Sequence, residues 1–133
     1  MTREETIKVL AILKAAYPNS YKGMTREEAQ GTVSVWAMQF AAFPVEVVLL
    51  AINKIIASST FPPTISEVKE TMRGMYWELW WILHEHENGN PLAEEELRLY
   101  QRMFDAIVPL RNMPNNEPAI SEIMGTYQLY ITG

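Results

Sequence analysis

The chain has 133 residues, no cysteine and a formal net charge of −5. That length is enough for one hydrophobic core, and the lack of cysteine excludes disulfides, thiolate metal sites and a cysteine nucleophile. The charge is uneven, because residues 1–63 carry six basic and five acidic side chains whereas residues 64–133 carry five and eleven. Eleven lysines and arginines without a basic cluster disfavour direct binding to nucleic acid, which depends on neutralising phosphates.

The ends and the apolar runs of the chain predict its compartment. Residues 2–5 are polar or charged, unlike the start of a signal peptide or a transit peptide. No apolar run approaches the roughly 18 residues that span a bilayer. We therefore expect a soluble, cytoplasmic protein with no membrane segment.

Three helices are predicted before residue 64. The tetrads Thr2-Arg3-Glu4-Glu5 and Thr25-Arg26-Glu27-Glu28 have the threonine and glutamate spacing of a capping box, so each predicts a helix start. Pro44, a favoured first helical residue, opens a third helix that runs to about Ala57. Its nearly continuous apolar residues are also compatible with a buried strand, but a run of this length favours a helix. We expect this helix to be central in an N-terminal three-helix unit.

A corner is predicted at Phe61-Pro62-Pro63-Thr64-Ile65-Ser66-Glu67. The two prolines end the preceding helix, and Thr64 and Glu67 have the capping-box spacing of a new helix start. Phe61 is expected to pack back on a neighbouring helix. The corner divides the chain into two units, residues 1–63 and residues 64–133, within one continuous domain.

The second unit is predicted to be helical as well. A fourth helix runs from Thr64 to about Glu87, weakened but not broken by Gly74. Asn88-Gly89-Asn90-Pro91 ends it, and a fifth helix fits residues 92–110. A short helix is predicted from about residue 118 to residue 127. The fold class is therefore all-α, a helical bundle of about five long helices and one short C-terminal helix.

The fourth helix contains three of the four tryptophans. At 100° per residue, Trp77 and Trp81 lie opposite the broad apolar core face of this helix, and Arg73 extends their row by one turn. This second apolar face either packs against the C-terminal helices or contacts another protein, because aromatic residues and arginine are enriched at binding hot spots. The candidate partner-binding residues lie on this helix or at the acidic start of the next one: Arg73, Trp77, Trp80, Trp81, Glu94 and Glu95.

Catalytic and metal-binding patterns are not supported by the sequence. In His84-Glu85-His86-Glu87 the two imidazoles point about 200° apart on a helix and cannot share one ion. The six glycines are scattered and form no phosphate-binding loop, and no spacing suggests a catalytic triad. We expect a protein that is not an enzyme and has no cofactor or metal.

Residues 5 to about 72 resemble the small helical helicase loaders and inhibitors of phages that infect Gram-positive bacteria. The resemblance is carried by Tyr17-Pro18, by Trp36, by Phe43-Pro44-x-Glu46-x-Val48-x-x-Ala51-Ile52 and by Phe61-Pro62-Pro63-Thr64-Ile65-Ser66-Glu67-Val68. It implies a non-ATPase protein that binds the hexameric replicative helicase of the phage, restrains it when free and delivers it to an origin-bound initiator protein. The resemblance ends near residue 72, so no partner-binding residue is carried over from the family.

Three functional classes remain open at this point. The first is a factor in phage DNA replication that binds the helicase and loads or inhibits it. The second is a phage-encoded or prophage-encoded inhibitor of another host or defence enzyme, for which the acidic half would suit a nucleic-acid-binding groove on the target. The third is a DNA-binding replication or regulatory protein, which would bind DNA with a strong dependence on salt.

Overall fold

The structure is a computed structural model that describes residues 1–87, 89 and 91–112. Every regular element in these ranges is helical, as the sequence predicts. In chain order they are α1 (Arg3–Ala16), α2 (Arg26–Gln39), α3 (Val45–Ser58), α4 (Ile65–Gly74), α5 (Tyr76–Glu87), α6 (Glu94–Ile107) and a 3-10 helix (Val108–Asn112). The short helix predicted near residues 118–127 lies outside the described residues.

Threonine caps fix three of the helix starts. Thr2 and Thr64 each accept a hydrogen bond from the backbone N–H three residues later, and the glutamate at that position accepts one from the threonine N–H. Both capping boxes therefore form as predicted. Thr25 accepts a hydrogen bond from the Glu28 N–H in the same way at the start of α2. Such caps satisfy backbone donors that a helix leaves without partners at its first turn.

The first three helices surround one apolar core. The buried residues of α3 belong to the same cluster as Leu13 of α1 and Phe40 at the end of α2. They include Val47, Val48 and Ile52. The helix α3 packs on both α1 and α4, which makes it the central helix of this part of the fold. The Tyr17 hydroxyl donates to the Ser59 carbonyl at 2.9 Å and so ties the end of α1 to the end of α3.

The corner after α3 is formed, but Phe61 does not pack as expected. Its side chain is 76% exposed, whereas Pro63 beside it is buried. The Ser59 hydroxyl bonds the backbone N–H and carbonyl of Phe61, which holds the peptide while the ring faces outward. The expectation that Phe61 covers a neighbouring helix was wrong, because local bonds and prolines set this turn independently of the ring.

The predicted fourth helix is divided into α4 and α5 at Met75. The Met75 N–H bonds the Met72 carbonyl at 3.1 Å, a contact three residues back instead of four. Gly74 precedes this tight turn. Because glycine has a low helix propensity, interrupting the helix at this point costs little free energy. The turn buries both Met75 and Leu79 in the core and allows α5 to pack on α6. None of the helices in the described part of the chain is long and apolar enough to cross a membrane.

Candidate partner-binding surface

Five ring-bearing side chains form an aromatic row on α5. The row consists of Tyr76, Trp77, Trp80, Trp81 and His84, all partly buried. Trp80 connects the others, with ring centroids 5.8 Å from Trp77, 5.3 Å from Trp81 and 4.7 Å from His84. The Trp80 and His84 rings are stacked, and the two tryptophan contacts are edge-to-face. Contacts of this kind add about 0.5–1.5 kcal/mol per pair to simple burial, so the rings of the row stabilise one another.

One end of the aromatic row is covered from within the molecule. The Tyr76 ring lies 4.9 Å from the Phe104 ring of α6. The Arg111 guanidinium, from the 3-10 helix, lies 4.0 Å above the Tyr76 ring and 5.6 Å from the Trp77 ring. Trp77 is therefore contacted from within the chain by Arg111, while Trp80 and Trp81 lie further along the row.

Arg73 does not extend the row at the surface. It is only 5% exposed, and its Nε donates to the Leu110 carbonyl at 3.0 Å. Its Nη1 donates to the Glu70 carboxylate at 2.7 Å. Both of these hydrogen bonds are internal to the chain, so the guanidinium is not available at the surface. Its bond to the Leu110 carbonyl holds the 3-10 helix against α4. Sequence spacing placed Arg73 on the correct helix. It did not indicate that the side chain is buried and bonded to a carbonyl 37 residues away.

Glu94 and Glu95 lie in the first turn of α6, and both are exposed. Carboxylates are favoured there by the helix dipole. Glu94 pairs with Arg98 one turn later. Because a short connection follows α5, these glutamates lie at the His84 end of the α5–α6 pair, opposite the end that Arg111 covers.

The basic side chains of the second half are all engaged within the chain. Arg73 and Arg111 are bonded or stacked as above, and Lys69 donates to Gln39 at 2.8 Å. The remaining two form ion pairs, Arg98 with Glu94 and Arg102 with Glu46. Among the described residues from position 64 to position 112 there are nine acidic and five basic side chains, so this part of the fold has a net negative charge. Such a surface favours a basic, partly apolar partner and opposes a nucleic acid.

A second apolar surface was missed by the sequence analysis. The α1–α2 side exposes large apolar residues, of which Met38 at 67% and Ile7 at 50% are the most prominent. A groove opens between α1, the α1–α2 loop and α2. The available signal was that Ile7 and Ile12 lie on other faces of α1 than the buried Val9 and Leu13.

The described residues hold no group of three or more His, Asp or Glu side chains arranged to bind a metal ion. The described part of the chain presents packed rings, exposed carboxylates and an apolar groove.

The fold and these surfaces define a small all-helical protein whose helices are set by threonine caps and a double-proline corner. Residues 1–69 match the family model G39P_N, which describes the N-terminal domain of the helicase loader of phage SPP1. The chain belongs to this family of phage helicase loaders. No curated protein and no solved structure is significantly similar to it. The match ends within α4, so the aromatic row lies beyond the family domain.

Proposed function

We propose that the protein is a non-enzymatic factor of phage DNA replication that binds the hexameric replicative helicase and loads or restrains it. Membership of residues 1–69 in the helicase-loader family carries this proposal. The absence of any glycine-rich phosphate loop in the sequence supports a role that depends on binding and not on ATP hydrolysis by this chain. An origin-binding initiator is the second partner that delivery of a helicase requires.

We place the helicase contact on the aromatic row and the acidic start of α6. Trp80 and Trp81 offer large, rigid rings, which are the side chains enriched at binding hot spots. Glu94 and Glu95 add exposed negative charge at the same end of the α5–α6 pair. The engaged cations leave this surface acidic, so a basic rim on the helicase would complement it. Arg73 supports the surface by fixing its base and does not contact the partner.

The first test is complex formation with the replicative helicase encoded by the same phage genome. We expect the two purified proteins to co-elute in size-exclusion chromatography and the chain to change the rate of ATP hydrolysis by the helicase. A lowered rate would identify restraint, and a rate raised in the presence of the initiator would identify loading. Failure to form any complex would refute the proposal, and binding to another enzyme instead would identify an inhibitor.

The second test separates the surface from the fold. Trp80→Ala and Trp81→Ala should each weaken helicase binding about thirtyfold or more, because truncated hot-spot residues cost at least about 2 kcal/mol. Trp77→Ala should instead lower the melting temperature, because Trp77 is packed under Arg111. Met38→Ala, on the exposed side of α2, is the matched apolar control and should bind normally. Normal binding by both the Trp80 and the Trp81 variants would refute the location of the contact but not the helicase proposal.

A further inference from the structure

Arg111 is held in a different way from the other four basic side chains between positions 64 and 112. Each of those four forms a hydrogen bond or an ion pair with another group of the chain. The Arg111 guanidinium instead contacts aromatic rings, 4.0 Å from the Tyr76 centroid and 5.6 Å from the Trp77 centroid. It forms no hydrogen bond or ion pair with any residue in the described part of the chain.

The ring contacts position this guanidinium without using its hydrogen-bond donors. A guanidinium has five N–H donors that lie in its plane, so stacking on an aromatic face leaves them available. The Arg111 side chain is partly buried, and its backbone is held one residue earlier, where the Leu110 carbonyl accepts a hydrogen bond from Arg73. Arg111 is therefore a positioned cation whose donors find no acceptor among the described residues.

Arg111 lies beside the surface that we assign to the helicase. The guanidinium is 5.6 Å from Trp77, and Trp77 is 5.8 Å from Trp80, so the guanidinium lies within about 11 Å of the Trp80 ring. An interface of standard size covers about 800 Å² of each partner, and a disc of that area is about 32 Å across. One partner surface can therefore cover Trp80 and Arg111 together.

Covering Arg111 requires an acceptor from the partner. A donor that loses contact with water and gains no acceptor costs binding free energy. A carboxylate satisfies two guanidinium donors at once and neutralises the charge, which is the geometry that arginine matches best. A phosphate group of a nucleic acid has similar oxygens, but the net negative charge of residues 64–112 opposes a polyanion.

We propose that Arg111 forms a bidentate ion pair with an aspartate or glutamate side chain of the helicase. This inference rests on the proposed function, because it adds one contact to the same surface. The helicase surface then carries an acidic side chain within its basic rim. That charge pattern distinguishes the partner from a uniformly basic surface, which would leave Arg111 facing like charge.

Titration calorimetry with the purified helicase, without nucleic acid, measures the contribution of this pair. Arg111→Ala should weaken binding about thirtyfold or more, because it leaves the helicase carboxylate covered without a counter-charge. Arg111→Lys keeps the charge and the ring contact but loses the planar pair of donors, so its affinity should be intermediate. Arg102→Ala is the matched control, since Arg102 is 62% exposed and pairs with Glu46 of α3, and it should bind like the parent chain. Thermal melts establish that each variant is folded at the assay temperature.

Cross-linking identifies the acceptor directly. In the Arg111→Lys protein, a water-soluble carbodiimide should join the amine at position 111 to an aspartate or glutamate of the helicase through an amide bond, while the carbodiimide becomes a urea. Mass spectrometry of the peptides locates that acid. Replacing it by its amide should weaken binding of the parent chain about as much as Arg111→Ala does, and combining the two changes should cost little more.

The outcomes separate this contact from the proposed function. If the parent chain forms no complex with the helicase, both fail. If the parent chain binds and Arg111→Ala binds equally well or more tightly, or if the cross-link forms only within this chain, the ion pair does not exist and the helicase proposal stands. Full affinity of the Arg111→Lys protein would overturn the bidentate geometry.

Discussion

The buried arginine gives the sharpest prediction about stability, through the substitution Arg73→Met. Methionine keeps an apolar stem but removes the donor to the Leu110 carbonyl and the pair with Glu70. Leu110 is 2% exposed, so its carbonyl loses a buried partner, at a cost of about 1–3 kcal/mol. The Glu70 carboxylate is 55% exposed, so its pair contributes less than about 1 kcal/mol.

A compensating effect limits the total. Removing Arg73 also removes the cost of keeping a charge away from water, and no buried charge remains because Glu70 returns to solvent. We therefore expect a net loss of about 2 kcal/mol in the free energy of unfolding. For a chain of this size that corresponds to a melting temperature lower by about 8 °C.

The assay is urea and thermal unfolding followed by circular dichroism at 222 nm, with amide hydrogen exchange in the 3-10 helix as a local readout. The matched control is Glu70→Gln, which keeps an acceptor for Arg73 but removes the ion pair. It should cost less than about 1 kcal/mol. If Arg73→Met is no more destabilising than Glu70→Gln, and exchange at Leu110–Asn112 is unchanged, the bond to the Leu110 carbonyl does not stabilise the fold.

Two further predictions concern local structure. Gly31 lies in the middle of α2 with open space around its position, so Gly31→Ala should raise the free energy of unfolding by about 0.5–1 kcal/mol. Gly23→Ala should instead lower the free energy of unfolding, because Gly23 has a φ of +81° that alanine rarely adopts. Equal effects in denaturant titrations would contradict this contrast. The backbone N–H of Thr2 donates to the Glu5 carboxylate and lowers the pKa of Glu5 below 4.5. This stabilisation is present above pH 4.5 and is lost as the pH falls through the lowered pKa, so Glu5→Gln should be less stable than the parent chain at pH 7, and the difference should disappear as the pH falls. A difference in melting temperature that does not change with pH would refute this reasoning.

The helix starts and the corner were predictable because they depend on neighbouring residues. A threonine followed by a glutamate three residues later satisfies backbone donors locally, so Thr2 and Thr64 specify capping boxes in any surrounding fold. Pro62 and Pro63 end a helix by fixed backbone geometry. The dense apolar run of α3 indicated its central place, since no other helix in the described part of the chain has so few polar side chains.

The composition of the candidate surface was also visible in the sequence, but its boundary was not. Three tryptophans within five residues indicate an aromatic surface on any helix. The sequence did not show which end of the aromatic row is covered within the chain. Arg111 and Phe104, which belong to other elements, cover the end at Tyr76 and Trp77. Periodicity assigns side chains to the faces of one helix, but it does not state which other element lies against each face.

The sequence by itself determined an all-helical chain, the positions of its caps and its double-proline corner, and the uneven charge of its halves. These properties follow from interactions within a few residues or from composition. Only the tertiary structure decided that Arg73 is buried and bonded to the Leu110 carbonyl, that Phe61 faces outward and that α1 and α2 enclose a groove. Each of these depends on contacts or gaps between elements distant in sequence, and the packing of the whole chain fixes them together.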